Sequence, residues 1–183
     1  MANNDRYEEA SRGLRKEELW KGVVAGMVGG LVASWTMNQV FTIWSKINEG
    51  KQQPEQSAKK GEQSDPATLK LARKLSRQIL QREISDEKIQ AAEAAVHYGF
   101  GTVMGGVYGG LSEYVPQARV GFGSAYATAL FVGADEIAVP LAGLSGRPNE
   151  VPVSSHVLGF TAHLVYGVTT ELVRRGTRKL LAA

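Results

Sequence analysis

Four long stretches without a single charged residue set the terms for this chain: Gly22–Ser45, Ala94–Ser112, Val120–Ala134 and Val151–Thr170. All 21 Lys and Arg and all 18 Asp and Glu sit elsewhere. A helix crosses the apolar core of a bilayer with about 20 residues. The first and last stretches reach that length unaided, and the second reaches it with His97 near its start. The third does so only if the helix runs from Val120 through Asp135 and Glu136 to Leu141, where Pro140 closes or kinks it. The pattern therefore predicts an all-α membrane protein with four transmembrane helices, at 22–45, 91–114, 120–141 and 151–173. Three spans with a re-entrant third segment is the alternative. A soluble bundle would need polar helix faces that these stretches lack.

The mean hydropathy of −0.17 hides this pattern by averaging apolar and charged segments. With no cysteine, disulfides, thiolate metal sites and cysteine nucleophiles are excluded. The net charge of +3 comes from basic residues beside apolar runs, which points to a membrane surface and not to nucleic acid. Residues 1–21 form a polar tail. The run from Gly22 begins too late and is too long for a cleaved signal core, so it reads as a retained span. Positive charges flanking the spans lean toward cytoplasmic termini, and residues 174–183 form a basic tail.

Residues 46–90 hold the one sizeable polar region between spans. Gly50–Ser64 reads as linker, and Asp65-Pro66 suits a helix start. At 100° per residue, Lys70, Arg73, Lys74, Arg77 and Arg82 then share one arc, opposite Leu69, Leu71, Ala72, Leu75, Ile79 and Leu80. This is a basic amphipathic surface helix, suited to anionic lipid headgroups. The competing expectation is that it packs on the protein's own extramembrane face. Ser85-Asp86 resembles a second cap, opening the helix that becomes span two.

The 21 glycines are not scattered. Span one carries Gly22, Gly26, Gly30 and Ser34 at intervals of four. Span two carries His97, Gly101, Gly105, Gly109 and Glu113. Span three carries Gly121, Ala125, Ala129 and Gly133, and span four Ser155, Gly159, His163, Gly167 and Glu171. Small residues four apart form a groove that lets helix backbones approach closely. Four such grooves predict a tight bundle or contacts in a homo-oligomer. Spans two and four also align without gaps at an offset of 58, sharing Tyr-Gly-x-x-x-Glu at Tyr108–Glu113 and Tyr166–Glu171. That suggests two helical hairpins related by duplication.

The order of motifs is a small-residue first span, a basic segment, His97-Tyr-Gly-Phe-Gly, Glu113-Tyr-Val-Pro, Ala134-Asp-Glu-Ile-Ala-Val-Pro and His163-Leu-Val-Tyr-Gly. Over most of residues 20–175 it resembles the YagU-like family of small bacterial inner-membrane proteins. The resemblance implies a multi-pass protein of the cell inner membrane and brings no functional residues with it.

Ionisable groups at membrane depth are costly and face the bundle or a cavity. His97, Asp135, Glu136, His156 and His163 qualify. Alternating span direction brings His97, His156, Glu136 and the late span-one residue Asn38 to one level, with His163 about two turns deeper. The carboxylate–imidazole set suits proton exchange near neutral pH; it could also bind a divalent metal or ligate haem. A register-fixing role in packing is the bland reading. Glu113 and Glu171 are expected at a membrane boundary, paired with nearby arginines. The functional expectation is a non-enzymatic structural or interaction component. The alternatives are a proton- or metal-handling carrier, then a haem- or metal-binding enzyme. No metal site or cofactor is assigned.

Overall fold

A computed structural model of the protein describes residues 2–49, 66–81 and 84–181, with side chains from Glu18 onward except those of Glu49, Leu80 and Asp86. All regular structure among the described residues is helical. Helix α1 covers Ala2–Glu49 and α2 covers Ala67–Leu75, continuing into a π-turn at Ser76–Leu80. Helix α3 is Asp86–Tyr114. Helix α4 runs as Ser124–Leu130, widens to π over Phe131–Ala138 and ends as Val139–Leu141. Helix α5 is Val153–Leu180. The linker 50–64, Asp65 and Arg82 lie outside the described residues.

Helix α1 is the centre of the bundle, packed against α3 on one side and α5 on the other, while α4 packs on α5 and α2 on α3. The expected small-residue face makes the α1–α3 crossing. A Cβ at Gly26 would fall on Gly105 O and 2.8 Å from Gly109 Cα. One at Gly105 would meet Gly26 O, Gly30 Cα (2.6 Å) and Gly30 N (2.8 Å). Gly101 meets Ser34, Gly109 meets Gly22 O, and Gly22 meets the Glu113 side chain. With no side chain between them, the two backbones touch.

The α4–α5 crossing keeps this geometry but not the expected register. The contact runs through Gly123 and Ala127 against Gly167: a Cβ on Gly167 would lie 2.6 Å from both Ala127 Cβ and Gly123 O. Gly159 meets the Phe131 ring at 3.0 Å. Gly121 and Gly133, placed in the span-three stripe by the sequence, are not in this seam. Gly121 sits at φ 61° in the turn before the helix, and a Cβ on Gly133 would meet nothing within 4 Å. The reason is the turn itself. Val120–Gly123 is not helical, with positive φ at Gly121, Phe122 and Gly123, so α4 begins at Ser124 instead of Val120.

Only α1, over Glu18–Asn48, is long and apolar enough to cross a membrane by length and composition among the described residues. Large apolar and charged side chains divide between surface and interior in both directions. Trp35 (56%), Val103 (55%), Val157 (52%) and Leu172 (55%) face outward, while Glu171 is fully buried and Arg174 and His163 nearly so. Helix α2 buries Leu69, Ala72 and Ser76, and Thr68 Oγ1 donates to Glu93 Oε1 of α3 at 3.1 Å. Helix α2 therefore rests on the protein's own surface, leaving Leu75 and Ile79 exposed.

Gly105→Ala is expected to lose at least ~1–3 kcal/mol through overpacking. Gly133→Ala should be neutral or gain up to ~1 kcal/mol of helix propensity. Thermal unfolding of both purified variants checks this; equal effects would mean the α1–α3 seam is not the tight contact.

Candidate functional site

The six polar residues singled out by sequence line one cavity of about 800 Å³ at the end of the bundle where α1 leaves the core. Asn38 comes from α1, His97 from α3, Asp135 and Glu136 from α4, and His156 and His163 from α5. Asp135 and Glu136, adjacent in sequence, both line the cavity from the π-widened part of α4, Phe131–Ala138. Pro140 has no N–H to return to the Glu136 carbonyl, so the turn before it has lost its ordinary α bond. Such π segments recur at functional positions.

Within the cavity the residues pair off instead of forming one cluster. Glu136 Oε1 lies 2.6 Å from His156 Nδ1, and His156 Nε2 lies 3.0 Å from Pro148 O. A carbonyl oxygen only accepts, so Nε2–H is the donor to Pro148. The short Nδ1–Oε1 contact must then hold one further proton, on the imidazole or on the carboxyl. His163 Nδ1 donates to Gly159 O at 2.9 Å and stands 3.7 Å from Asp135 Oδ2, an ion-pair distance if the ring is charged. The Phe131 ring packs beside it, with centroids 5.4 Å apart.

His97 turns to the opposite wall. Its Nε2 is 3.3 Å from Ser34 O, and Asn38 Nδ2 donates to Tyr98 Oη at 3.3 Å. Among the described residues no three His, Cys, Asp or Glu side chains gather in a way that could hold a metal ion. Sequence reasoning passed over Glu93, which also lines the cavity. Its signal was available: Glu93, His97 and Gly101 continue the four-residue spacing of the α3 stripe by one step.

A second polar site closes the other end of the bundle. Glu171, placed at a membrane boundary by sequence, is fully buried. Its oxygens accept from Tyr108 Oη (2.8 Å), Arg174 Nε (2.7 Å) and Nη2 (3.2 Å), and Arg175 Nε (2.6 Å). Glu113 takes Arg178 Nε at 3.2 Å and Arg174 Nη1 at 3.6 Å, and Arg178 reaches Glu18 of α1. Burial works against the Arg174 charge, but its hydrogen bond to Glu171 and that carboxylate's charge outweigh it and raise its pKa. Arg175 lies 4.2 Å over the ring of Phe122, a bulky residue held at φ 60°. The expected pairing of Glu113 and Glu171 with arginines is present, with Arg178 as an additional partner.

The basic face of α2 borders a groove of about 440 Å³, lined by Lys70, Arg73, Lys74 and Arg77 and closed by Ala142–Leu144. Lys74 Nζ donates to Ala142 O at 3.4 Å. Leu144 lines this groove and the main cavity alike.

The chain belongs to a family of proteins of unknown function, DUF1440, which it matches over residues 46–172. That match takes in α2, α3, α4 and most of α5, so it includes every cavity residue except those on α1. No curated protein and no solved structure matches the chain.

Removing Glu171 would leave the buried Arg174 guanidinium with only its 3.6 Å contact to Glu113. Glu171→Gln is expected to cost about 3–5 kcal/mol, as for other broken buried ion pairs. Tyr108→Phe should cost ~1.5–3 kcal/mol, the range for a hydrogen bond to a charged group. Denaturant unfolding reads both. A Glu171→Gln loss no larger than that of the exposed Glu150→Gln would remove the network from the fold's supports.

Proposed function

We propose that the protein is a multi-pass component of the bacterial inner membrane whose cavity exchanges protons. The observation that carries this reading is the Glu136–His156 contact, which holds one proton, inside a cavity shared with Asp135, His163 and His97. A carboxyl group and an imidazole within hydrogen-bond distance can pass a proton between them. Intramembrane carboxylate–histidine sets are the usual parts of proton relays.

Four membrane crossings are supported by three features together. The charge-free runs fall on α1, α3, α4 and α5. Large apolar side chains point outward on each of those helices, while His163, Glu171 and Arg174 are buried. The motif order resembles that of the YagU-like inner-membrane family. Glycine seams then replace the hydrophobic effect as the source of helix association, since lipid offers no such drive. In this frame α2 lies at the surface, and its Lys70–Arg77 face meets anionic headgroups.

A purely structural component is the competing reading, favoured by the tight seams and the Glu171 network. Reconstitution separates the two. Proteoliposomes holding the parent protein are expected to show proton flux under an imposed gradient, and Glu136→Gln should lower it at least tenfold. No flux above empty liposomes leaves the structural reading standing.

Topology has its own test, made easy by the absence of cysteine. Gln117→Cys and Asn149→Cys place single thiols in the loops after α3 and after α4. With four crossings, an impermeant thiol reagent labels the two from opposite faces of the membrane. Labelling of both from one face would sink the four-span arrangement.

A further inference from the structure

The cavity is far larger than a proton relay requires. A water molecule takes about 30 Å³ of liquid volume, whereas sites for small organic molecules run to roughly 300–1,000 Å³. At about 800 Å³ this one belongs to the second class. Its charged lining is one-sided. Glu93, Asp135 and Glu136 face it, and no lysine or arginine does among the described residues. Its apolar lining includes the rings of Phe41, Phe100 and Phe131.

Each ligand class meets these walls differently. An anion would face three carboxylates with only imidazoles to oppose them. A neutral apolar molecule would strip water from the carboxylates and return nothing. An organic cation gains a counter-ion at Glu136 or Asp135 and places its apolar body on aromatic faces, which attract positive charge. The Glu136–His156 contact supplies the exchange. While the cavity is empty of ligand, the shared proton balances the Glu136 charge; a cation beside Glu136 makes that proton redundant.

We propose that the cavity binds a monovalent organic cation, with Glu136 as its counter-ion, and that the proton shared with His156 leaves as the cation enters. The proposal deepens the proton-exchange reading and rests on it for the second half only. Charge selectivity stands on the lining alone.

Two probes of one shape and opposite charge test it. Tetraphenylphosphonium and tetraphenylborate are titrated onto the purified parent protein in detergent, with empty micelles as the blank. Saturable binding of the phosphonium and none of the borate is expected, with close to one proton released per cation in weakly buffered solution. Glu136→Gln should weaken phosphonium binding at least tenfold and abolish the release; Asp135→Asn should also weaken it. Equal binding of both probes, or binding of neither, overturns the proposal, and this comparison needs no variant. Phosphonium binding without proton release overturns the exchange but keeps the cation site. Proton flux by a parent that binds no phosphonium rejects the cation site and leaves the proton-exchange reading intact.

Discussion

The rest of the structure depends on how closely α1 and α3 approach. At Gly26, Gly30, Gly101, Gly105 and Gly109 each backbone lies where a neighbour's side chain would otherwise be. That contact fixes the rotation of both helices at once. It leaves the outer faces to large apolar residues such as Val28, Leu31, Val103 and Val107, and it directs Ser34, Asn38 and His97 toward the cavity. Glycine is what makes the approach possible here; the positions are ordinary helix interior, and the cost in helix propensity is offset by dispersion contacts along the seam.

The second hairpin repeats the first. Gly109 sits on Gly22 O and Gly26, and Gly167 sits on Gly123 O and Ala127. Tyr108 and Tyr166, one residue before these glycines, are both buried and both hydrogen-bond across the bundle, to Glu171 and to Gly101 O. The two hairpins differ at their polar ends. Glu113 shares its arginines and remains partly exposed, whereas Glu171 is sealed in. Position 30 of α1 corresponds to Phe131, so the tight seam of the first hairpin opens in the second, on a large ring. That opening is part of the cavity wall.

The sequence made the helices, their apolar faces and the seams of α1, α3 and α5 legible, because those depend on spacing alone. It misplaced the α4 seam for a local reason. Gly121 and Gly123 are both glycines before a helix, and only the chain reversal at φ 61°, 60° and 87° shows that Gly123 belongs to the helix face. The offset relating Gly22 and Gly26 to Gly123 and Ala127 was the signal that could have chosen between them. The six cavity residues were legible from depth, but not all of their partners were. Glu136 and His156 meet as their shared level suggested, whereas His97 pairs with Ser34 O instead of joining them. Arg174 and Arg175, three and four residues after Glu171, were readable as its partners. Arg178 with Glu18 was not, since it needs the packing of α5 on α1.

The two polar ends of the bundle differ in what their protons can do. Around Glu171 every donor is a guanidinium or a phenol, and guanidinium groups do not give up protons in proteins. That end is fixed charge, and it ties α1, α3 and α5 together. Around Glu136 an imidazole nitrogen and a carboxyl oxygen lie 2.6 Å apart, beside a volume large enough for a ligand. Helix α5 carries both ends, with His156 and Glu171 about 22 Å apart along its axis at 1.5 Å per residue. A change of charge or contents in the cavity therefore acts on a helix whose far end is pinned. The Gly159–Phe131 contact joins α4 to α5 at the cavity end, while the Glu171 tie holds α5 to α1 and α3.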